Sequence, residues 1–290
     1  MRHLIFSKNK DLPSTRALID QLSLRGEVIV HDPHACSYPF DLEVDWVWPR
    51  ATGIHYQDRD LIYLESLESR GVKSINSLRA VVKTRDKLTQ LLWSKQLGLK
   101  LLPSLVIDKQ LSDDELEHLI KQNHFYQFTC DEFLLKPLRS NKGLGLRYVK
   151  SLRALGDQLR YQQLVGDTDF IIQPFIQNHQ VCRFFLINDL CFGLHHIPEQ
   201  GHTSHLHGLK VTKKVDEDEL SSFSELHLMI LKYLKADYLA VEWILADGQW
   251  YFLEANTMPG FQEIDLFYQH STAKILVEKL LGTDTNRRAF

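Results

Sequence analysis

The chain has 290 residues, more than one compact core of the usual size holds, so two or three domains are expected. Hydrophobic residues make up 44% and charged residues 24%, as in an ordinary globular protein. A formal net charge of -3 with no basic run argues against a nucleic-acid partner held by phosphate neutralisation. The cysteines, Cys36, Cys130, Cys182 and Cys191, form no C-x-x-C pair, and a chain of this size needs no disulfide frame. They read as reduced thiols of a cytoplasmic protein. No apolar stretch reaches the roughly 18 residues of a membrane span, so no membrane partner is expected.

In chain order, Leu4-Ile5-Phe6 is an apolar run too short for a signal peptide and reads as a first strand. Leu18, Ile19 and Leu22 have helical spacing within Arg16 to Ser23, and Gly26 stops that helix. Val28 to Val30 is a second strand and Asp45 to Arg50 a third, ended by Pro49. A helix over Leu61 to Arg70 and a strand over Gly71 to Ile75 follow. This β-α-β order is that of a parallel sheet. The first ~85 residues therefore read as a small α/β domain.

A helix over Asp86 to Gln96 opens the next region, and Leu111 to Gln122 reads as another, with an acidic first turn that suits the helix dipole. Strands are expected at Phe133 to Pro137, Phe170 to Ile176, Arg183 to Leu186, Leu190 to His195, Leu239 to Leu245 and Trp250 to Ala255.

The last two strands carry the most chemistry. Asp247-Gly248 between them signals a hairpin. A strict two-residue loop sets Glu242 opposite Leu253, on the wrong face for Glu254 and Asn256. A three-residue loop, Ala246-Asp247-Gly248 with a glycine bulge, pairs Leu245 with Gln249 and brings Glu242, Glu254 and Asn256 to one face. The other face is then wholly apolar: Leu239, Val241, Trp243, Leu245, Tyr251, Leu253 and Ala255. The three-residue loop is therefore predicted. Two carboxylates and an amide oxygen suit Mg²⁺. Taken alone, the hairpin is read more simply as a solvated sheet face. The Thr257-Met258-Pro259-Gly260 turn that follows is harder to explain as surface.

Lys136, at the end of the strand before Pro137, can point into a cleft and meet phosphates as a point charge, or simply snorkel. Arg139 to Gly145 contains G-x-G, which can cradle phosphates or form a plain hairpin turn, and matches neither Walker A nor G-x-G-x-x-G.

Taken in order, these pieces resemble the ATP-grasp superfamily, and most closely its branch of RimK-type ribosomal-protein modification enzymes and glutathione synthetases. The resemblance covers nearly the whole chain. It is carried by Trp48-Pro49-Arg50, Gly71-Val72 and Thr84 to Leu88, then by Leu135-Lys136-Pro137 with Asn141 to Gly145, and by Ile172 to Ile176. Its most specific part is Phe252 to Gly260, which is similar to the superfamily's metal-binding signature.

The resemblance implies a small N-terminal parallel-sheet domain (1–85), a lid domain (86–170) and a C-terminal domain with the Mg²⁺ site (171–290), the last two forming the two-lobed α+β ATP-grasp module. It implies an ADP-forming carboxylate–amine ligase that works through an acyl phosphate. The acid would be an amino acid, a peptide or a protein C-terminus, and the amine that of an amino acid. A homo-oligomer is left open. Lys87 and Lys136 would contact ATP. Ser140, Asn141, Gly143 and Gly145 would form the mobile phosphate loop. Gln173 lies on the nucleotide strand, Phe175 and Ile176 would meet adenine through main-chain groups, and Gln180 falls at the ribose position. Arg183 and Lys136 would be the catalytic residues, Arg183 facing the transferring phosphoryl group and Lys136 near the α- and β-phosphates. Glu242, Glu254 and Asn256 would hold two Mg²⁺, with Mn²⁺ as an alternative and Glu254 bridging.

Some positions depart from the branch pattern. Val181 stands where an acid is usual, His195-His196 where arginines are, and His205 replaces an asparagine in Ser204 to Gly208. Zinc at His195, His196, His202, His205 and His207 is disfavoured because no cysteine shows ligand spacing. Contacts from one or two of them to substrate or phosphate are the preferred reading. A nucleotide-binding regulator and a substrate kinase on the same fold remain the rival functions.

Overall fold

The computed structural model describes residues 1–35, 42–51, 58–107, 111–128, 131–140, 145–165, 169–177, 179–198 and 210–282. Cys36, Cys130, Asn141, Gly143, His202, His205 and His207 lie outside the described residues.

The chain begins with β1 (Arg2–Phe6), α1 (Pro13–Ser23), β2 (Glu27–His31), β3 (Trp46–Pro49), α2 (Arg59–Ser69) and β4 (Lys73–Ser74). The four strands form a parallel sheet in the order β2-β1-β3-β4. Both of its faces are buried. Ile5 and Trp48 pack with Leu18 and Leu22 of α1, while Leu4, Phe6 and Val47 pack with Leu64 and Leu67 of α2. Burial on both faces explains why these strands read as continuous apolar runs.

Two helices follow, α3 (Leu78–Arg85) and α4 (Lys87–Gln96). The sequence reading places no helix at α3, whose buried stripe is only Ala80, Val81 and Thr84. Ser77 caps it by accepting from the Ala80 amide, and Asp86 ends it and caps α4 by accepting from the Thr89 amide.

β5 (Leu105–Val106), α5 (Asp113–Gln122), β6 (Phe133–Pro137), β7 (Arg147–Val149), α6 (Leu152–Val165) and β8 (Phe170–Pro174) make the second unit. Its sheet is antiparallel, in the order β5-β8-β6-β7. Phe133, Leu135, Phe170 and Ile172 join Leu116 and Ile120 of α5 in its core. By strand alternation Lys136, Ile171 and Gln173 face the other way.

The third sheet contains β9 (Gln180–Ile187), β10 (Leu190–Pro198), β11 (Lys210–Lys214), β12 (Tyr238–Ala246) and β13 (Gln249–Asn256). It is antiparallel, in the order β11-β10-β9-β12-β13. Helices α7 (Glu217–Ser222) and α8 (Ser224–Leu234) precede β12, and α9 (Gln262–Tyr268) and α10 (Thr272–Leu281) follow β13. The chain changes sheet between Pro174 and Gln180, so a boundary drawn at 170/171 falls at the start of β8.

The parallel sheet is not an appendage. Ile5 and Trp48 share one core with Phe185, Ile187 and Tyr238 of the third sheet and with Ala273 and Leu276 of α10. Asn76, 1% exposed, stitches the two together. Its amide nitrogen donates to the Tyr238 and Thr257 carbonyls at 2.8 and 2.9 Å. Its oxygen accepts from the Asp237 and Tyr238 amides at 2.7 and 3.1 Å. Asn76→Ala leaves these buried groups unsatisfied, and a loss of about 3 kcal/mol is expected. Urea unfolding checks it: the midpoint should fall with the slope unchanged.

Candidate active site

The acidic hairpin reaches its predicted face by another route. Asp247 and Gly248 alone join β12 to β13, with Leu245 opposite Trp250 and Ala246 opposite Gln249. The expected three-residue loop is not formed. Both turn residues have positive φ, 48° and 69°, as a type I′ turn requires, and that turn matches the twist of the strands. The register then shifts between Glu242 and Trp243, leaving Leu253 as the extra residue of a bulge. Glu242 therefore stands opposite Glu254, and Ala240 opposite Asn256.

The bulge also changes which side chains are buried. Trp250 and Phe252, rather than Tyr251 and Leu253, join Leu239, Val241, Trp243 and Ala255 behind the sheet. Tyr251 and Leu253 pack with Ile244 on the other side.

The end of β13 is locked by the helices beside it. The Ala255 amide donates to Gln90 Oε1 at 2.7 Å, and Gln90 Nε2 donates to the Thr84 carbonyl at 2.7 Å. Thr84 and Thr257 share a hydroxyl hydrogen bond of 2.9 Å. The Met258 amide donates to Asn256 Oδ1 at 2.7 Å. Arg50 Nη1 donates to the Pro259 carbonyl at 2.9 Å, and the Arg50 guanidinium lies 4.9 Å from the centre of the Phe261 ring. Trp48-Pro49-Arg50 thus brings the parallel sheet to bear on the loop after the acidic strand.

A cleft of about 840 Å³ opens between the second and third sheets. It brings together Glu242, Glu254 and Asn256 with Lys136 and Arg183, and Lys87, Ser140 and Gln173 also line it. Arg183 Nε lies 3.6 Å from Glu242 Oε1. Lys87 Nζ donates to Ser140 Oγ at 3.1 Å. Gln173 Nε2 donates to Ser104 Oγ at 2.8 Å, while its buried Oε1 has no hydrogen-bond partner among the described residues.

Burial sets the electrostatics. Lys136 is 8% exposed, and burial together with the Lys87 charge lowers its pKa to about 8 against the pull of Glu254 and Glu242. The Glu242 carboxyl is pushed up by burial and by the Glu254 charge opposite, with Arg183 opposing. Two facing carboxyls in a buried cleft with these cations form a place where added positive charge is favoured.

Four other predicted positions are described but do not line the cleft: Gly145, Phe175, Ile176 and Gln180. Gly145 is a conformational requirement, with φ +78° and a Cβ that would meet Pro137 Cγ at 2.8 Å. The Phe175 ring packs on Tyr148 at 4.6 Å between centroids, and its amide donates to the Glu132 carbonyl at 2.9 Å. The Ile176 carbonyl lies 2.6 Å from His179 Nδ1. Gln180 pairs with Leu245.

Strand alternation separates the histidine pair. His196 faces the cleft, while His195 faces the back of the sheet beside Cys182. Two charged cleft residues escape sequence reading, Lys210 and Glu263. Lys210 Nζ lies 3.0 Å from Glu263 Oε1 and 3.0 Å from His196 Nδ1. Burial chiefly lowers the His196 pKa, and Lys210 and Arg183 add to this against Glu263. No local motif marks either residue, because β11 and α9 meet only in space.

No protein-family model matches the chain. A D-alanine–D-alanine ligase of Aquifex aeolicus is 25% identical over 141 residues, 46% of this chain and 48% of that protein. The match thus spans about half the length of that curated relative. Solved structures are similar over far more of the chain. D-alanyl-alanine synthetase A of Vibrio cholerae superposes with a TM-score of 0.72 at 15% identity, covering 97% of each chain. The ATP-grasp ligase PsnB, complexed with a phosphomimetic variant of its minimal precursor, Mg and ADP, gives 0.70 at 15% identity, again over 97% of each. With the three-sheet topology described above, these likenesses show that the chain has the ATP-grasp fold.

Proposed function

We propose that this protein is an ADP-forming carboxylate–amine ligase, binding ATP in the cleft between its two antiparallel sheets. One observation carries the reading: Glu242 and Glu254 face each other across β12 and β13, in the same cleft as Lys136 and Arg183. The all-oxygen set of Glu242, Glu254 and Asn256 fits Mg²⁺, which would displace the proton that burial and the Glu254 charge favour on Glu242. Two Mg²⁺ ions, which Mn²⁺ can replace, would neutralise the phosphates there.

The chain's own groups supply the rest. Lys136 holds phosphate oxygens as a buried point charge, and Lys87 steadies the Ser140 loop beside it. Gln173, with its unused buried oxygen, offers an acceptor to the nucleotide. Arg183 meets the phosphoryl group as it passes to the substrate carboxylate. The amine then attacks the acyl phosphate and phosphate leaves. His196, one of the two histidines standing where the RimK-type branch has arginines, borders the acceptor end with Lys210 and Glu263.

The names of the similar proteins, a D-alanine–D-alanine ligase, a D-alanyl-alanine synthetase and an ATP-grasp ligase held with its precursor, support an amino acid or peptide as the acid and an amino acid as the amine. Among the described residues no helix is long and apolar enough to cross a membrane. The test is ADP release over pooled amino acids and peptides, with mass spectrometry of the products. An amide product with stoichiometric ADP is expected. A stable phosphorylated product instead would make the protein a kinase, and ATP binding without turnover over the whole panel would make it a regulator.

A further inference from the structure

Behind the third sheet, away from the cleft, Cys182 of β9, His195 of β10 and Glu219 of α7 converge. Cys182 and His195 are directly paired across the strands, which puts their side chains on one face. Cys182 is 0% exposed, and His195 is 7% exposed. Cys182 Sγ lies 2.9 Å from His195 Nδ1, 3.5 Å from His195 Nε2 and 3.8 Å from Glu219 Oε1. His195 Nε2 lies 2.5 Å from Glu219 Oε2. One ligand atom from each residue falls within 4.8 Å of the others.

We propose that Cys182, His195 and Glu219 bind a Zn²⁺ ion that braces the back of β9, one residue from Arg183. A tetrahedral Zn²⁺, with bonds of about 2.0–2.3 Å, holds its ligand atoms about 3.3–3.7 Å apart. The sulfur's distances to His195 Nε2 and Glu219 Oε1 sit near that range, while its closer approach to Nδ1 is a hydrogen bond that the ion would replace. The shorter histidine–carboxylate contact is a hydrogen bond that the ion would replace. A thiolate, a neutral imidazole and a carboxylate together balance the charge of the dication. The Glu219 side chain, 21% exposed, leaves a solvent side for a fourth ligand. Three protein ligands on three different elements would tie α7 to β9 and β10.

The same atoms could be read as a nucleophile, its base and a carboxylate. The sulfur, however, is fully buried behind the sheet, and it lines neither cavity that borders the site on the other face. Burial and the Glu219 charge raise the thiol pKa, whereas an activated nucleophile needs it lowered. For a metal ligand this matters less, because binding itself displaces the proton, one per ion.

The test uses the full-length protein, stripped with chelator and titrated with Co²⁺ in excess Mg²⁺. One equivalent of thiolate-to-cobalt charge-transfer absorption is expected, and Zn²⁺ should bleach it. Calorimetry of Zn²⁺ binding in buffers of different ionisation enthalpy should read release of about one proton per ion. The band should vanish in Cys182→Ala and persist in Cys191→Ser and in Glu254→Ala, the last of which removes the acidic cleft. Absence of the band from the wild-type protein overturns the proposal and leaves a hydrogen-bonded cluster. A band that survives Cys182→Ala overturns it equally, and neither outcome bears on the ATP cleft. The wild-type spectrum decides even if Cys182→Ala folds poorly.

Discussion

Glu254→Ala is expected to lower ADP formation at least about a thousandfold under saturating Mg²⁺, roughly 4 kcal/mol of lost transition-state stabilisation. The reason is the position of Glu254. It is directly opposite Glu242 and two residues from Asn256, at the centre of the oxygen set that would hold Mg²⁺ under the proposed function. The fold should survive. The Glu254 charge raises the neighbouring Glu242 pKa, so its removal relieves repulsion in a half-buried pair. The unfolding midpoint is therefore expected to stay level or rise slightly while turnover disappears. An ADP-coupled assay beside a thermal melt reads both. Near wild-type ADP release by this variant would reject the metal assignment and with it the proposed reaction.

Lys136→Met should reduce kcat/KM for ATP by about a hundredfold to a thousandfold, since it removes the buried charge that the proposed function assigns to the phosphates. The pH dependence carries the sharper test. The Lys136 pKa is lowered from 10.5 to about 8, so the ammonium is fully charged only below that pH. ATP affinity is expected to be level at neutral pH and to weaken above about 8, approaching tenfold per pH unit. Lys136→Arg should abolish that falling limb, because guanidinium stays charged. Stability moves the other way. Between about 8 and 10.5 the unfolded chain binds more protons at this residue than the folded one, so its contribution to stability rises with pH. Opposite slopes of affinity and stability above pH 8 would tie both to one lysine. A flat affinity profile through pH 9 would remove Lys136 from the phosphate site.

Local pattern carried the reading as far as pattern reaches. The apolar runs of β1 to β3, the lysine before Pro137 and the acidic strand before Thr257-Met258-Pro259-Gly260 were legible because strand alternation and turn chemistry are written in neighbouring residues. The fold is the one those pieces resemble. The hairpin marks the limit. Its two possible loop lengths differ by one residue, and every side chain of β13 changes face with that choice. Counting from the turn gives the wrong loop, since the compensating bulge at Leu253 is set by packing of Trp250 and Phe252 against α4 and α8 rather than by any turn residue.

The histidines show the same limit. His195 and His196 are adjacent in sequence, yet a strand sends them to opposite faces, one beside Lys210 and Glu263, the other beside Cys182 and Glu219. Cys182 lies 13 positions from His195, a spacing that signals nothing until antiparallel pairing sets them side by side. The sequence by itself determined the longer apolar strands, the Asp247-Gly248 turn site and most of the charged groups that line the cleft, because these depend on near neighbours. Register, the bulge and the partners of each buried ionisable group were decided only by the tertiary structure, because each is a compromise among side chains far apart along the chain.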